Sequence, residues 1–251
     1  MSILVENIKK TYKTKNSVIH ALHNINLEIH ESEFVCIVGP SGCGKSTLLN
    51  IIAGLEKATE GKVYFNGNLI KTSCNDRTVI FQENALYPWL NVVQNVEFGM
   101  KMTGVSKYDR REKAIHYLKM MKLEKFQNSR IHELSGGMRQ RVAIARAIAL
   151  DSSVLLMDEP FSAIDIQTKH TLQNDLIDIW NKTKKTIIFI THNVEEAVFL
   201  ADRIILMDST PGQIRRIFNV NIKRPRVSIN QAFIDLANEI YEDLKGQRKA
   251  K

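Results

Sequence analysis

Gly39, Pro40, Ser41, Gly42, Cys43, Gly44, Lys45, Ser46 and Thr47 run together in the pattern G-x-x-x-x-G-K-[ST], with Gly39, Gly44, Lys45 and Ser46 at its fixed positions. The chemistry of that pattern is the holding of a nucleoside triphosphate. Its glycines let backbone N–H groups turn inward around phosphate oxygens, and a helix N-terminus behind them adds positive potential. Lys45 is placed to reach the β- and γ-phosphates and the Ser46 hydroxyl to ligate Mg2+. The pattern carries this meaning between a strand and a helix, and the flanks suit both. Phe34–Val38 is a short apolar run of the kind that makes a buried parallel strand, and Leu48–Ala53 suits a helix stopped at Gly54.

Other polar residues follow apolar runs in the same manner. Val154–Met157 leads into Asp158 and Glu159, the first suited to hold the Mg2+ shell and the second to orient and polarise an attacking water. A helix-capping acid before Pro160 would account for one of these carboxylates, but not for both after so apolar a run. Gln82 follows Thr78–Phe81 and is suited to contact Mg2+ or the water. His192 follows Thr186–Ile190 and Thr191 and is suited to reach the γ-phosphate. Alone, each is a weak signal, because a Gln after a strand is commonly surface and a lone His commonly structural. Ser135, Gly136 and Gly137 precede a helical pattern over Met138–Leu150, so a serine cap and a glycine pair make a second anion-binding helix start. A nucleotide cradled by the first loop needs no second such helix from its own domain. A head-to-tail dimer uses both.

The elements that must position these residues alternate. Strands are expected over Ser2–Ile8, Ser17–Ile29 and Lys62–Ile70, the last broken by the hairpin turn Asn66-Gly67, and over Thr78–Phe81. From Asn84 to about Glu133 the pattern is helical, over Asn91–Gly104 and Lys107–Leu123, with Ala114, Ile115, Leu118 and Met121 or Lys122 facing inward. Alternation then resumes: helix Met138–Leu150, strand Val154–Met157, helix Ile164–Lys182, strand Thr186–Ile190, helix Val194–Ala201. A hairpin joins Arg203–Met207 to Ile214–Phe218 through Thr210–Gly212, and a helix from Asn230 leads to a basic tail, Lys245–Lys251. Such alternation implies an α/β fold with a mostly parallel sheet, whose ligands bind at the carboxyl ends of the strands. The 251 residues suffice for one large domain or a domain with a subdomain. No apolar run approaches a membrane span and the N-terminus lacks the apolar core of a signal peptide, so a soluble, cytoplasmic chain is expected. Cys36, Cys43 and Cys74 are odd in number and lack metal-like spacing, which argues for a reduced compartment without disulfides. Cys36 reads as core, and Cys43, inside the phosphate loop, is expected to be shielded from alkylation by ATP. The charge of +8 is spread along the chain without a basic stripe interleaved with aromatics, so a phosphate ligand and a solvated surface are favoured over nucleic acid.

Over residues 1–220 the chain resembles the nucleotide-binding subunit of ATP-binding cassette (ABC) transporters. Gly39–Thr47 matches that family's Walker A motif, Gln82 its Q-loop, Leu134–Gln140 its signature, Val154–Glu159 its Walker B motif, Ser162–Asp165 its D-loop and His192 its switch histidine. Tyr12 stands where the family stacks an aromatic ring on adenine. The resemblance implies a P-loop NTPase ABC ATPase fold. Residues 1–84 and 139–220 would form a RecA-like core with an antiparallel β subdomain, 85–138 an inserted α-helical subdomain carrying the signature, and 221–251 a C-terminal helix and tail. It further implies Mg-ATP hydrolysis at composite sites of a homodimer, with Ser162 and Asp165 at the dimer interface and Ser135 and Gly137 reaching the γ-phosphate across it. Closure on ATP would drive transmembrane permease subunits, and through them an extracytoplasmic substrate-binding protein, from the cytoplasmic face of the membrane. The stretch Phe81–Leu90 and Arg224-Pro-Arg226 are similar to the nitrate, sulfonate and taurine import branch. Met138 and Ile164 replace the family's usual Gln and Leu, and Glu31-Ser-Glu33 lacks its usual glycine, but no catalytic position is degenerate, so both sites of a homodimer are expected to hydrolyse. Of the soluble ABC ATPases, the iron–sulfur assembly type would share every catalytic motif. The DNA-associated type splits its motif halves with a long coiled coil, whereas here a short helical insertion without heptads joins Lys45 to Ser135.

Overall fold

The computed structural model describes residues 3–14, 17–83, 85–162, 164–209 and 211–246. The chain divides into two compact units, Met1–Cys74 with Thr186–Lys251, and Asn75–Lys185.

In the first unit, β1 (Ile3–Lys13) pairs antiparallel with β2 (Val18–Ile29) and with β4 (Glu60–Phe65), which turns into β5 (Asn68–Leu69). The β4–β5 turn is Asn66-Gly67, both at positive φ (52° and 77°), as a tight two-residue hairpin requires. β1 and β2 are longer than their apolar runs because bulges re-aim them: register shifts fall between Val5 and Ile8 and again near Lys10, with Asn7 and Asn24 in left-handed conformations. Four further strands lie in the order β10 (Gln213–Asn219), β9 (Arg203–Asp208), β3 (Phe34–Val38), β8 (Thr186–Thr191). β3 runs parallel to both β8 and β9, and every residue of β3 and β8 is buried, as uninterrupted apolar runs require. α1 (Lys45–Ala53) follows β3 and ends at Gly54 in the left-handed conformation.

α6 (Val194–Leu200) follows β8, and α7 (Gln231–Gly246) packs on it through Phe233, Ala237 and Ile240. The C-terminus of α6 is closed by two arginines. Arg226 donates to the carbonyls of Val198, Phe199 and Ala201 at 2.8, 3.2 and 2.6 Å, and to those of Val220 and Ile222. Arg224 donates to Leu200 O and to the Asp202 carboxylate. A guanidinium is suited to this because its donors are fixed in a fork and helix C-terminal carbonyls are electronegative. Burial pushes Arg226 down to about 10, which leaves it charged at neutral pH. The expected turn residue Thr210 and the basic tail from residue 247 onward lie outside the described residues.

In the second unit, β6 (Arg77–Ile80) and β7 (Val154–Asp158) run parallel, accompanied by α2 (Val92–Met102), α3 (Lys107–Met120), α4 (Gly136–Ala149) and α5 (Ile166–Thr183). Helix starts differ from the apolar periodicity by a residue or two, because side-chain caps decide them. Ser135 Oγ accepts from Met138 N at 3.3 Å and starts α4 at Gly136, and Asp165 accepts from Thr168 N at 3.0 Å and starts α5 at Ile166. On α3, Ala114 and Leu118 are buried, as is Met121 just beyond it, whereas Ile115 is 37% exposed and Lys122 turns outward at positive φ. The expected strand Thr78–Phe81 lies one residue earlier, so Phe81 already belongs to the loop that carries Gln82.

Candidate nucleotide site

In the first unit the phosphate loop fills the turn from β3 to α1. Gly44 stands at φ +92°, and a Cβ there would meet Ala21 O and Leu22 Cδ2, both at 2.7 Å. Lys45 is buried, its Nζ donating to Gly39 O at 2.8 Å and Pro40 O at 2.9 Å, which holds the ammonium beneath the loop. Ser46 is exposed at the first turn of α1. The expectation for Cys43 needs correction. Its side chain is wholly buried, with Sγ 3.9 Å from Lys45 Nζ, because the loop folds it inward, so the protein itself excludes an alkylating reagent. Burial also pushes the Cys43 thiol pKa up.

Sequence reasoning missed Gly212, which reads only as a hairpin residue. Gly212 N donates to Ala21 O and Gly212 O accepts from His23 N, in an isolated bridge to Leu22. A Cβ on Gly212 would fall 2.1 Å from Cys43 O, so the β9–β10 turn lies directly against the underside of the phosphate loop. Its signal in the sequence is only Pro211-Gly212, which any turn could carry.

β3 and β8 are in register with Val38 beside Thr191, so Gly39 and His192 leave the sheet at the same level. His192 is exposed on a turn held by neighbours: Thr191 Oγ1 donates to Glu196 Oε2 at 2.5 Å, and Asn193 caps α6 through Glu196 N at 2.9 Å. Tyr12, near the end of β1, is 37% exposed, and its hydroxyl lies 3.5 Å from Thr47 Oγ1. The structure thus brings Tyr12, the phosphate loop and His192 into one unit.

In the second unit, β6 and β7 pair Ile80 with Met157, so Gln82 and Asp158-Glu159 leave the same edge. Gln82 Nε2 donates to Ser162 Oγ at 3.4 Å, and Ser162 N donates to Glu159 O at 3.2 Å. Glu159 stands at φ 43°, a left-handed conformation that costs a non-glycine residue roughly 1–2 kcal/mol. Asp165 is exposed, and the Thr168 backbone N–H it caps lowers its carboxyl pKa. The loop after Gln82 is pinned by buried Asn95, whose side chain bonds the backbone at Tyr87, Leu90 and Asn91. Of the signature residues, Ser135 is the α4 cap. At Gly136 a Cβ would meet nothing within 4 Å, whereas at Gly137 it would lie 2.4 Å from Thr168 Cγ2.

No group of three or more His, Cys, Asp or Glu residues with metal-binding geometry occurs among the described residues. Ser46, Gln82 and Asp158 offer a hydroxyl, an amide and a carboxylate. Ser46 belongs to the first unit and Gln82 and Asp158 to the second. Each is an oxygen donor of the hard kind that Mg2+ takes, and Mg2+ keeps water and phosphate oxygens without an all-protein cage.

Comparison with known proteins identifies the family. The family model described as ABC transporter matches residues 22–162. The chain is 46% identical over 247 residues to an uncharacterized ABC transporter ATP-binding protein of Methanocaldococcus jannaschii, covering 98% of this chain and 92% of that protein. It is 47% identical to the nitrate import ATP-binding protein NrtD of a Synechocystis strain, covering 88% and 84%. It is 38% identical to the aliphatic sulfonates import ATP-binding protein SsuB of Bacillus thuringiensis subsp. konkukian, covering 98% and 96%. Among solved structures, the dimeric post-hydrolysis state of an ATP-binding cassette bound to ADP and Pi superposes with a TM-score of 0.78 at 37% identity, covering 88% of this chain and 100% of that one. The fold is that of the P-loop ABC ATPase cassette. The chain belongs to the ABC transporter family, as one of its ATP-binding subunits, and is an ATPase.

Proposed function

We propose that this subunit powers the import of a small anion, of the nitrate or sulfonate class, by hydrolysing Mg-ATP at the interface of a head-to-tail homodimer. The observation that carries the dimer is the second glycine helix start. α4 offers the Ser135 hydroxyl and the open side of Gly136, while the phosphate loop already supplies a complete cradle at α1. In this reading the backbone of Gly39–Thr47 wraps the phosphates of one ATP, Lys45 neutralises the β- and γ-oxygens, and Tyr12 stacks on the base. Ser46, Gln82 and Asp158 hold Mg2+, which when bound spreads the developing charge of the phosphates. Glu159 orients the water and accepts its proton, and His192 bonds the γ-phosphate. Ser135, Gly136 and Gly137 of the partner complete the site, in the role other NTPases give to an arginine, and Ser162 and Asp165 line the dimer contact.

The helical segment 85–138, with the loop after Gln82, is the surface we assign to a short helix of the permease; Trp89 is 68% exposed there. No helix among the described residues is long and apolar enough to cross a membrane, which suits peripheral attachment at the cytoplasmic face through that permease. A substrate-binding protein would act through the permease and not on this chain. The importer names of the relatives favour this reading over a soluble iron–sulfur assembly or DNA-associated ATPase.

The test is complementation in a mixture. Ser135→Ala and Lys45→Ala, each inactive alone, are expected to regain activity when mixed, because one hybrid interface keeps an intact loop and an intact signature. A mixture as inactive as its components would place each site within a single chain.

A further inference from the structure

Glu56 and Lys10 belong to none of the motifs above, yet both hold Tyr12. Lys10 and Tyr12 share a face of β1 by the two-residue alternation of a strand, and both reach the turn that follows α1. Tyr12 Oη donates to Glu56 Oε1 at 2.5 Å. Lys10 Nζ lies 2.9 Å from the same carboxylate, donates to Lys57 O at 2.8 Å and stands 4.8 Å from the Tyr12 ring centroid. The turn is tied to the strand by its backbone as well, with Thr59 N donating to Lys9 O and Thr11 N to Thr59 Oγ1. Lys10 and Glu56 are mostly covered, at 15% and 23% side-chain exposure, whereas Tyr12 keeps 37% with its hydroxyl engaged.

We propose that Glu56 is a positioning residue for base recognition: it holds the Tyr12 ring, with Lys10, in the orientation in which a purine stacks. This rests on the reading of Tyr12 as the base-stacking residue. A carboxylate is a stronger acceptor for a phenol than a neutral oxygen, and a ring already held loses less rotamer freedom when a base arrives. Partial burial, with Glu56, holds the Tyr12 phenol above its ordinary pKa, so it remains a donor. Lys10 completes the arrangement by offsetting a carboxylate that would otherwise repel the triphosphate near Thr47.

The experiment uses the full-length chain and measures Kd for ATP and for inorganic tripolyphosphate, with kcat and KM for ATP. Glu56→Ala and Tyr12→Phe are each expected to weaken ATP binding by roughly three- to tenfold, the worth of one hydrogen bond. The double variant should be no weaker than either single one, because both remove the same bond. Glu56→Ala should raise KM without lowering kcat and should not weaken tripolyphosphate binding, and Glu56→Gln, which keeps an acceptor, should recover part of the loss. Equal weakening of ATP and tripolyphosphate by Glu56→Ala, or additive single effects, would overturn the proposal by tracing the loss to the phosphate loop. Normal ATP affinity in Glu56→Ala alongside a weakened Tyr12→Ala would overturn the clamp alone. Unchanged ATP affinity in Tyr12→Ala would overturn base stacking and the clamp with it.

Discussion

Gly136→Ala separates what the fold needs from what the dimer needs. A Cβ at Gly136 meets nothing within 4 Å in this chain, and the residue opens α4, where alanine is the better helix former. Folding stability should therefore hold, or rise by roughly 0.5–1 kcal/mol. In the proposed dimer the same open side receives the partner's nucleotide, and a methyl group there pushes away the phosphate that Ser135 and the helix N-terminus should contact. Loss of one such oriented contact costs about a hundred- to a thousandfold in rate. Gly137→Ala supplies the contrast. Its Cβ would lie 2.4 Å from Thr168 Cγ2, so Thr168 must move and the fold loses about 1–3 kcal/mol. Adding Thr168→Ser removes that methyl and should restore stability without restoring activity. Urea unfolding, steady-state ATPase rates and fluorescent-ATP binding to the monomer distinguish the cases. Gly136→Ala with ATPase activity close to that of the unaltered protein, or with a clearly less stable fold, would refute the reasoning.

Glu159→Gln should bind ATP, nearly cease turnover and accumulate an ATP-dependent dimer on size-exclusion chromatography; ordinary turnover would remove Glu159 from its catalytic role. Thiol labelling of the native protein should modify exposed Cys74 and leave Cys43 and Cys36 untouched with or without Mg-ATP, read by mass spectrometry of peptides. Arg226→Ala strands helix-terminal carbonyls in a buried site and should cost roughly 3–5 kcal/mol, lowering the thermal midpoint by about 6–20 °C. Arg226→Lys should recover only a minor part, since an ammonium cannot fork to carbonyls on both sides.

What was legible in the sequence is what local chemistry dictates. A glycine loop between an apolar run and a helix, and carboxylates or a histidine directly after apolar runs, are written in consecutive residues, and register does the rest. Val38 beside Thr191 and Ile80 beside Met157 level the polar residues that follow them. Asn66-Gly67 was equally plain, since few other residue pairs suit two positive φ values. Features made by distant partners were not legible. Glu56 meets Tyr12 and Gly212 meets Cys43 only because the chain returns, and no periodicity announces such meetings. The inward turn of Cys43 was missed for a related reason: membership of a loop says which backbone faces a ligand, not which side chains line its far side. Ser135 and Asp165 carried a signal that apolar spacing ignores, because a cap decides a helix start by hydrogen bonding and not by burial.

The contact of Gly212 with the underside of the phosphate loop has a mechanical consequence. Most packed interfaces yield, because side chains can hop between rotamers and absorb a displacement. Here backbone rests on backbone, at Ala21, Cys43 and Gly212, with no side chain of Gly212 interposed. A displacement of the β9–β10 turn toward the loop therefore meets the Cys43 carbonyl directly, and a displacement of the loop toward the turn meets Gly212.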